Sequence, residues 1–189
     1  MKLVMLGKLR SGKSTVTKIL QELIKEHYNV ELKQKPLATP IYDEAKDFYK
    51  RHELVWRKNR RLLEGIGGAF NEDFPGGDKI ILLYDKVFDP NEDIVVEDCR
   101  RITQADYFKE KGAVLIRIVA ERGIRKSRCQ VGEWAEGHIT DDELDNYPVD
   151  FEIVNNGNDI NDLRAMLLNE IVLKLNRRSA APLLQEESG

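Results

Sequence analysis

A three-layer α/β fold, with a mostly parallel central sheet, helices on both faces and a lid insertion, is what this chain predicts. Three observations carry the prediction. Short apolar runs such as Ile94-Val95-Val96 alternate with stretches whose apolar residues recur every three to four positions. The first run, from Lys2 to Leu6, passes through a glycine-bounded loop directly into a helical pattern. Residues 113–119 are rich in branched apolar side chains, as a strand covered on both faces must be.

The chain has 189 residues, 41% of them hydrophobic and 33% charged, with a formal net charge of −3. That is enough for one soluble domain with a sizeable core, expected over residues 1–176, followed by a polar, flexible tail at 177–189. No apolar run approaches the ~20 residues of a membrane span, and no apolar segment follows Met1, so a cytoplasmic protein without a membrane partner is expected. With 30 Lys and Arg against 33 Asp and Glu there is no field to hold a nucleic acid, and a small anionic ligand fits better. Cys99 and Cys129 form no CxxC pair and no metal cluster, so two thiols are expected.

Taken in order, Lys2 to Leu6 is a strand, and Val16, Ile19, Leu20, Leu23 and Ile24 mark one face of the helix after it. Val30 and Leu32 suggest a second short strand. Pro36 and Pro40 interrupt regular structure before a mostly helical, charged segment at 41–69, with Phe48, Val55, Trp56, Leu62 and Leu63 as its buried stripe. Residues 74–77 (Phe-Pro-Gly-Gly) make a break, 80–88 a short helix, and Asp89-Pro90-Asn91 a turn into the strand Ile94 to Val96. A helix from Ile102 stops at Gly112, and the next strand is 113–119. Residues 121–148 have many charges and little apolar period, the pattern of a mobile excursion, here the lid. Phe151, Ile153 and Val154 make the last strand, and Ile160, Leu163, Leu167 and Ile171 share a final helix face.

Residues 7–14, Gly-Lys-Leu-Arg-Ser-Gly-Lys-Ser, match GxxxxGK[ST] between a strand and a helix, the context this phosphate loop (P-loop, Walker A) physically requires. Backbone N–H groups and the helix N-terminus cradle phosphates, Lys13 sets an ammonium beside the β- and γ-phosphates, and the Ser14 hydroxyl serves Mg²⁺. ATP and Mg²⁺ are therefore the expected cofactors, within a P-loop NTPase fold. At the end of the third strand, Glu97-Asp98-Cys99-Arg100 meets the nucleotide crevice. One carboxylate there is expected to orient Mg²⁺, with Asp98 the ligand beside Ser14. Arg100 has the planar fork to grip a second phosphate. Arg122, Arg125 and Arg128 follow a strand end at three-residue spacing and form a cationic lid face if helical. The basic run 57–61, the three histidines and Trp56 and Trp134 read as solvated surface or packing. A guanine-reading NKxD motif and a DxxG switch after a strand are both missing, which weakens a nucleotide-dependent regulatory role.

The phosphate loop, Leu37-Ala38-Thr39-Pro40-Ile41, Arg60-Arg61-Leu62-Leu63 followed by Gly67, Asp98-Cys99-Arg100, His138-Ile139-Thr140 and Asn155-Asn156-Gly157 occur in the order seen in bacteriophage-type deoxynucleoside monophosphate kinases. The chain resembles that family from Met1 to about residue 175; animal-type phosphomevalonate kinases and dephospho-CoA kinases look similar over shorter stretches. The resemblance implies a kinase of deoxynucleotide metabolism that phosphorylates a nucleoside or deoxynucleoside monophosphate. It implies that Gly7, Lys8, Leu9, Arg10, Ser11, Gly12, Lys13, Ser14 and Thr15 bind the nucleotide, with the loop of Asn155, Asn156 and Gly157 near its base and Asn156 and Gly157 among the binding residues. Asp98 and Arg100 would address the acceptor, and Arg125 and Arg128 the transferring group. Two departures stand out: Ser14 where these kinases often carry Asp, and Tyr42 where they tend to carry Lys. Lys46 or the 57–61 run would then replace that lysine, or the acceptor differs.

Overall fold

The computed structural model describes residues 1–73, 78–129, 143–157 and 159–175. The expected break at 74–77, the centre of the lid with Trp134 and the 138–140 motif, and the tail from 177 lie outside the described residues. Five strands, β1 (Lys2–Leu6), β2 (Lys33–Gln34), β3 (Ile94–Val96), β4 (Val114–Val119) and β5 (Phe151–Val154), form one sheet in the order β2-β3-β1-β4-β5. Every pairing is parallel. The strand carrying the phosphate loop is thus central, and its C-terminal end opens between the ends of β3 and β4.

Alternation along the strands builds two cores. Leu3 and Met5 of β1, Val95 of β3 and Ile116 and Ile118 of β4 face helices α1 (Lys13–Tyr28) and α7 (Ile160–Leu167). Val4 and Leu6, Ile94 and Val96, and Leu115 face α4 (Lys79–Asp85) and α5 (Ile102–Glu110), where Tyr84 and Phe108 fill the layer. Each fully buried Leu or Ile contributes about 1.5–3 kcal/mol. Local chemistry ends the helices where the sequence changes: Asn29 takes the left-handed conformation at the end of α1, and Gly112 does so after α5. Asp78 and Asp159 accept from Ile80 N and Asn161 N to start α4 and α7. Arg164 of α7 reaches Glu22 and Glu26 of α1, at 2.9 and 2.7 Å. Below it α7 runs into a π-helical turn at Leu168–Val172, where the Tyr28 hydroxyl donates to Val172 O.

Several expectations are corrected or refined. Val30 and Leu32 pack against the α1 core but do not join the ladder; pairing begins at Lys33, whose N–H donates to Asp93 O at 2.9 Å. The 41–69 segment is two helices, α2 (Thr39–Arg51) and α3 (Arg60–Asp73), separated by irregular chain. Its expected stripe fails at Val55, which is 88% exposed, and at Phe48 and Trp56, both exposed. Ala45 and Tyr49, four residues apart, are the residues α2 buries instead, while Phe48 stacks on His52 and Trp56 on Tyr49 at the surface. The short helix spans 79–85, not 80–88, and Ile160 is exposed in the first turn of α7.

Candidate active site

The loop from Gly7 to Lys13 closes tightly because two of its positions admit no side chain. At Gly7, φ +142°, a Cβ would lie 2.4 Å from Ile118 O of the adjoining strand. At Gly12, φ +99°, it would lie 2.1 Å from Asn155 Nδ2. Arg10 also takes a positive φ, at 60°. Lys13 folds back over the loop, its ammonium donating to Gly7 O and Lys8 O at 2.5 and 3.0 Å. Lys8 meets Asp145 at 2.7 Å, joining the loop to the segment before β5.

Ser14 and Thr15 begin α1, and the Ser14 hydroxyl donates to Glu97 Oε2 at 2.9 Å. Strand parity explains the partner. Glu97 follows β3 in phase with Val95, on the α1 face, whereas Asp98 is in phase with Val96 and turns to the opposite layer. Parity thus sets Glu97 beside the Ser14 hydroxyl and gives the expected metal ligand Asp98 other partners. Its two carboxylate oxygens accept from Leu37 N and Ala38 N at 2.7 and 3.0 Å, so it anchors the entry to α2. Burial pushes the Asp98 carboxyl above its ordinary range, against the opposing pull of those amides. Burial, with the neighbouring Asp98 charge, pushes the Cys99 thiol up to about 12, which leaves it a packing group. Glu97 and Ser14 are hard oxygen groups on one side of the loop, the donor set magnesium takes alongside phosphate and water.

Arg100 is exposed at the strand end, and its backbone N–H donates to the buried Gln104 side chain at 2.8 Å. Arg125 and Arg128, expected on a lid face, are turned to the phosphate loop by the short helix α6 (Arg122–Ser127) and its C-cap. Arg125 donates to Leu9 O at 3.4 Å; Arg128 donates to Arg10 O and Ser11 O at 3.3 and 3.4 Å and to Asn155 O at 3.1 Å. The Asn156 carboxamide is engaged by Glu121, accepting from its N–H and donating to its carboxylate at 3.0 and 2.9 Å. Gly157 has φ +89° and lies beside Arg128. Arg117 pairs with Glu152 at 3.1 Å and donates to the carbonyls of Leu144 and Tyr147, tying the segment after residue 142 to β4.

Two cavities open at this edge. One, of about 570 Å³, is lined by the phosphate loop and the start of α1, and extends to Pro36, Ala38 and Tyr42. The other, of about 370 Å³, runs along the end of β4 to Arg117, Leu144 and Asp145. Lys13, Glu97 and Arg100 line both. Lys58 lies over the Tyr42 ring, 5.6 Å from its centroid, while Lys46 pairs with Asp43. Of the two expected cationic groups, the basic run thus places an ammonium against the Tyr42 ring. Sequence reasoning gave Glu97 no partner, and gave Asn155 a place near the nucleotide base but no contact with the loop. The signal for the first was strand parity; the second is a contact across 144 residues that local pattern does not carry.

No protein-family model matches the chain, and no curated protein matches it in sequence. Among solved structures it is similar to a shikimate kinase from Acinetobacter baumannii in complex with shikimate, at 11% identity and a TM-score of 0.54, covering 96% of this chain and 95% of that one. It is also similar to a shikimate kinase from Aquifex aeolicus (12% identity, TM-score 0.49, 96% of this chain and 100% of that one). A gluconokinase from Sinorhizobium meliloti is similar too (12% identity, TM-score 0.49, 96% and 97%). At this identity the likeness to the Acinetobacter structure shows the fold alone, an α/β fold with a parallel central sheet.

Proposed function

We propose that this protein is an ATP-dependent phosphotransferase whose acceptor is a small phosphorylated molecule, a nucleoside or deoxynucleoside monophosphate, converted to the diphosphate. The observation that carries the reading is the shared wall: Lys13, Glu97 and Arg100 border both cavities, so two anionic substrates can meet there end to end. The loop N–H groups and Lys13 hold and neutralise the nucleotide's β- and γ-phosphates. Ser14 and Glu97 would hold Mg²⁺, which supplies charge neutralisation between those phosphates. Arg100 grips the acceptor phosphate bidentately and fixes it in line, and an anionic acceptor oxygen needs no general base. The charged wall excludes water as the substrates fill the cavities. Residues 121–148 serve as the lid within a single domain, 1–176.

A second reading, a kinase for another small acceptor, draws on two observations: Tyr42 stands where the resembling kinases carry lysine, and a fold neighbour was solved with shikimate. ATP consumption against nucleoside and deoxynucleoside monophosphates, dephospho-CoA, phosphomevalonate, shikimate and gluconate tests both. The proposed function predicts ADP formation that depends on one of the monophosphates, with its diphosphate as product. Turnover with one of the other acceptors alone selects the second reading, and acceptor-independent hydrolysis overturns both.

A further inference from the structure

We infer that Asn155 is a positioning residue of the phosphate loop: with Arg128 it holds the Ser11 carbonyl and so aims the Gly12 N–H at the nucleotide's phosphates. The carboxamide is buried, and its Nδ2 donates to Ser11 O at 2.9 Å. Arg128 Nη1 reaches the same oxygen at 3.4 Å and Arg10 O at 3.3 Å, and its Nη2 donates to Asn155 O at 3.1 Å. A trans peptide is planar, with its C=O and the following N–H pointing in opposite directions. Two side chains that fix Ser11 O on one side therefore direct Gly12 N–H to the other, where Gly12 lines the larger cavity. Gly12 itself is part of the device, because a Cβ there would occupy the place of Asn155 Nδ2, at 2.1 Å. The result links three distant pieces of chain, the loop, the residue just after β5 and the C-cap of α6, in one hydrogen-bonded unit.

This assignment rests on the phosphate loop binding the nucleotide, and the test separates the two. Calorimetric titration with MgATP is run on the wild type, Asn155→Ala, Asn155→Asp, Arg128→Lys and the Asn155→Ala/Arg128→Lys pair. Asn155→Ala removes the donor, Asn155→Asp turns an oxygen toward Ser11 O, and lysine cannot span three carbonyls in one plane. The expected result is an affinity loss of about tenfold for each single variant, the worth of one hydrogen bond to a directed carbonyl. The pair should lose less than the product of the two, because both act on one oxygen. In steady-state assays KM for ATP rises while KM for the acceptor stays within about twofold. A merely structural role would instead lower the melting temperature and leave MgATP affinity unmoved. Wild-type protein that does not bind MgATP overturns the nucleotide reading and this assignment together. Wild type that binds while Arg128→Lys and either folded Asn155 variant bind equally well overturns this assignment alone.

Discussion

Around the phosphate loop the backbone is tied to its surroundings from several sides: Leu9, Arg10 and Ser11 carbonyls to α6 arginines, Ser11 again to Asn155, and Gly7 and Lys8 carbonyls to Lys13. Across the crevice the α2–α3 arm is anchored through Asp98 to Leu37 and Ala38 and through Ala45 and Tyr49 to the interior, with much of the rest exposed. Tyr42 and Lys58 sit at that looser edge. The difference teaches where generic and selective chemistry reside. Phosphate cradling needs fixed dipoles before the substrate arrives. On the proposed function, acceptor choice falls to a surface with fewer buried anchors.

The comparison is broken most severely at Lys13. Lys13→Ala should lower turnover by roughly 10²- to 10³-fold by analogy with the loss of one preorganised donor, with an unchanged melting profile. Steady-state rates and thermal unfolding check it, and near-normal turnover in folded protein would remove Lys13 from the mechanism. A smaller effect sharpens the boundary between the sides. Glu97→Gln should raise the Mg²⁺ concentration for half-maximal turnover by about tenfold, because a carboxylate beside Ser14 becomes neutral. Asp98→Asn should leave that requirement unchanged. A Mg²⁺ titration in which only Asp98→Asn shifts would return the metal to the acceptor side.

A further effect, on stability rather than turnover, concerns the buried Cys99. Its folded pKa of about 12 lies above its ordinary value of 9.0. The stability linked to it is therefore complete below pH 9 and drains as pH rises toward 12. At about pH 10.5 the wild type should have lost about 2 kcal/mol more, relative to pH 8, than Cys99→Ala, measured by urea unfolding. Equal losses would mean that the thiol titrates freely. At pH 8 the folded protein should resist alkylation at Cys99.

Local chemistry made the nucleotide side legible: a strand, two glycines at fixed spacing, a lysine and a helix are read within one stretch of chain. The order of strands and helices followed from the same periodicities. Glu97 was one step from legible, since alternation separates it from Asp98 once the face occupied by α1 is known. Asn155 was not, because its partner lies 144 residues away and only folding brings them together. The α2–α3 arm misled for a different reason. Phe48, Trp56 and Val55 look like a buried stripe, yet Phe48 lies against His52 and Trp56 against Tyr49 while both stay exposed, and Val55 faces solvent. Apolar pattern reports burial only where a second layer exists to receive it.

Arg100 stands where the two sides meet, so it decides the account. Separate calorimetric titrations of wild type, Arg100→Lys and Arg100→Ala with MgATP and with the acceptor found in the turnover panel measure its allegiance directly. The account predicts that acceptor affinity falls on substitution by lysine, which keeps the charge without the fork, and falls further with alanine, while MgATP affinity stays within about twofold. A loss confined to MgATP would place Arg100 on the nucleotide side and contradict the two-sided site.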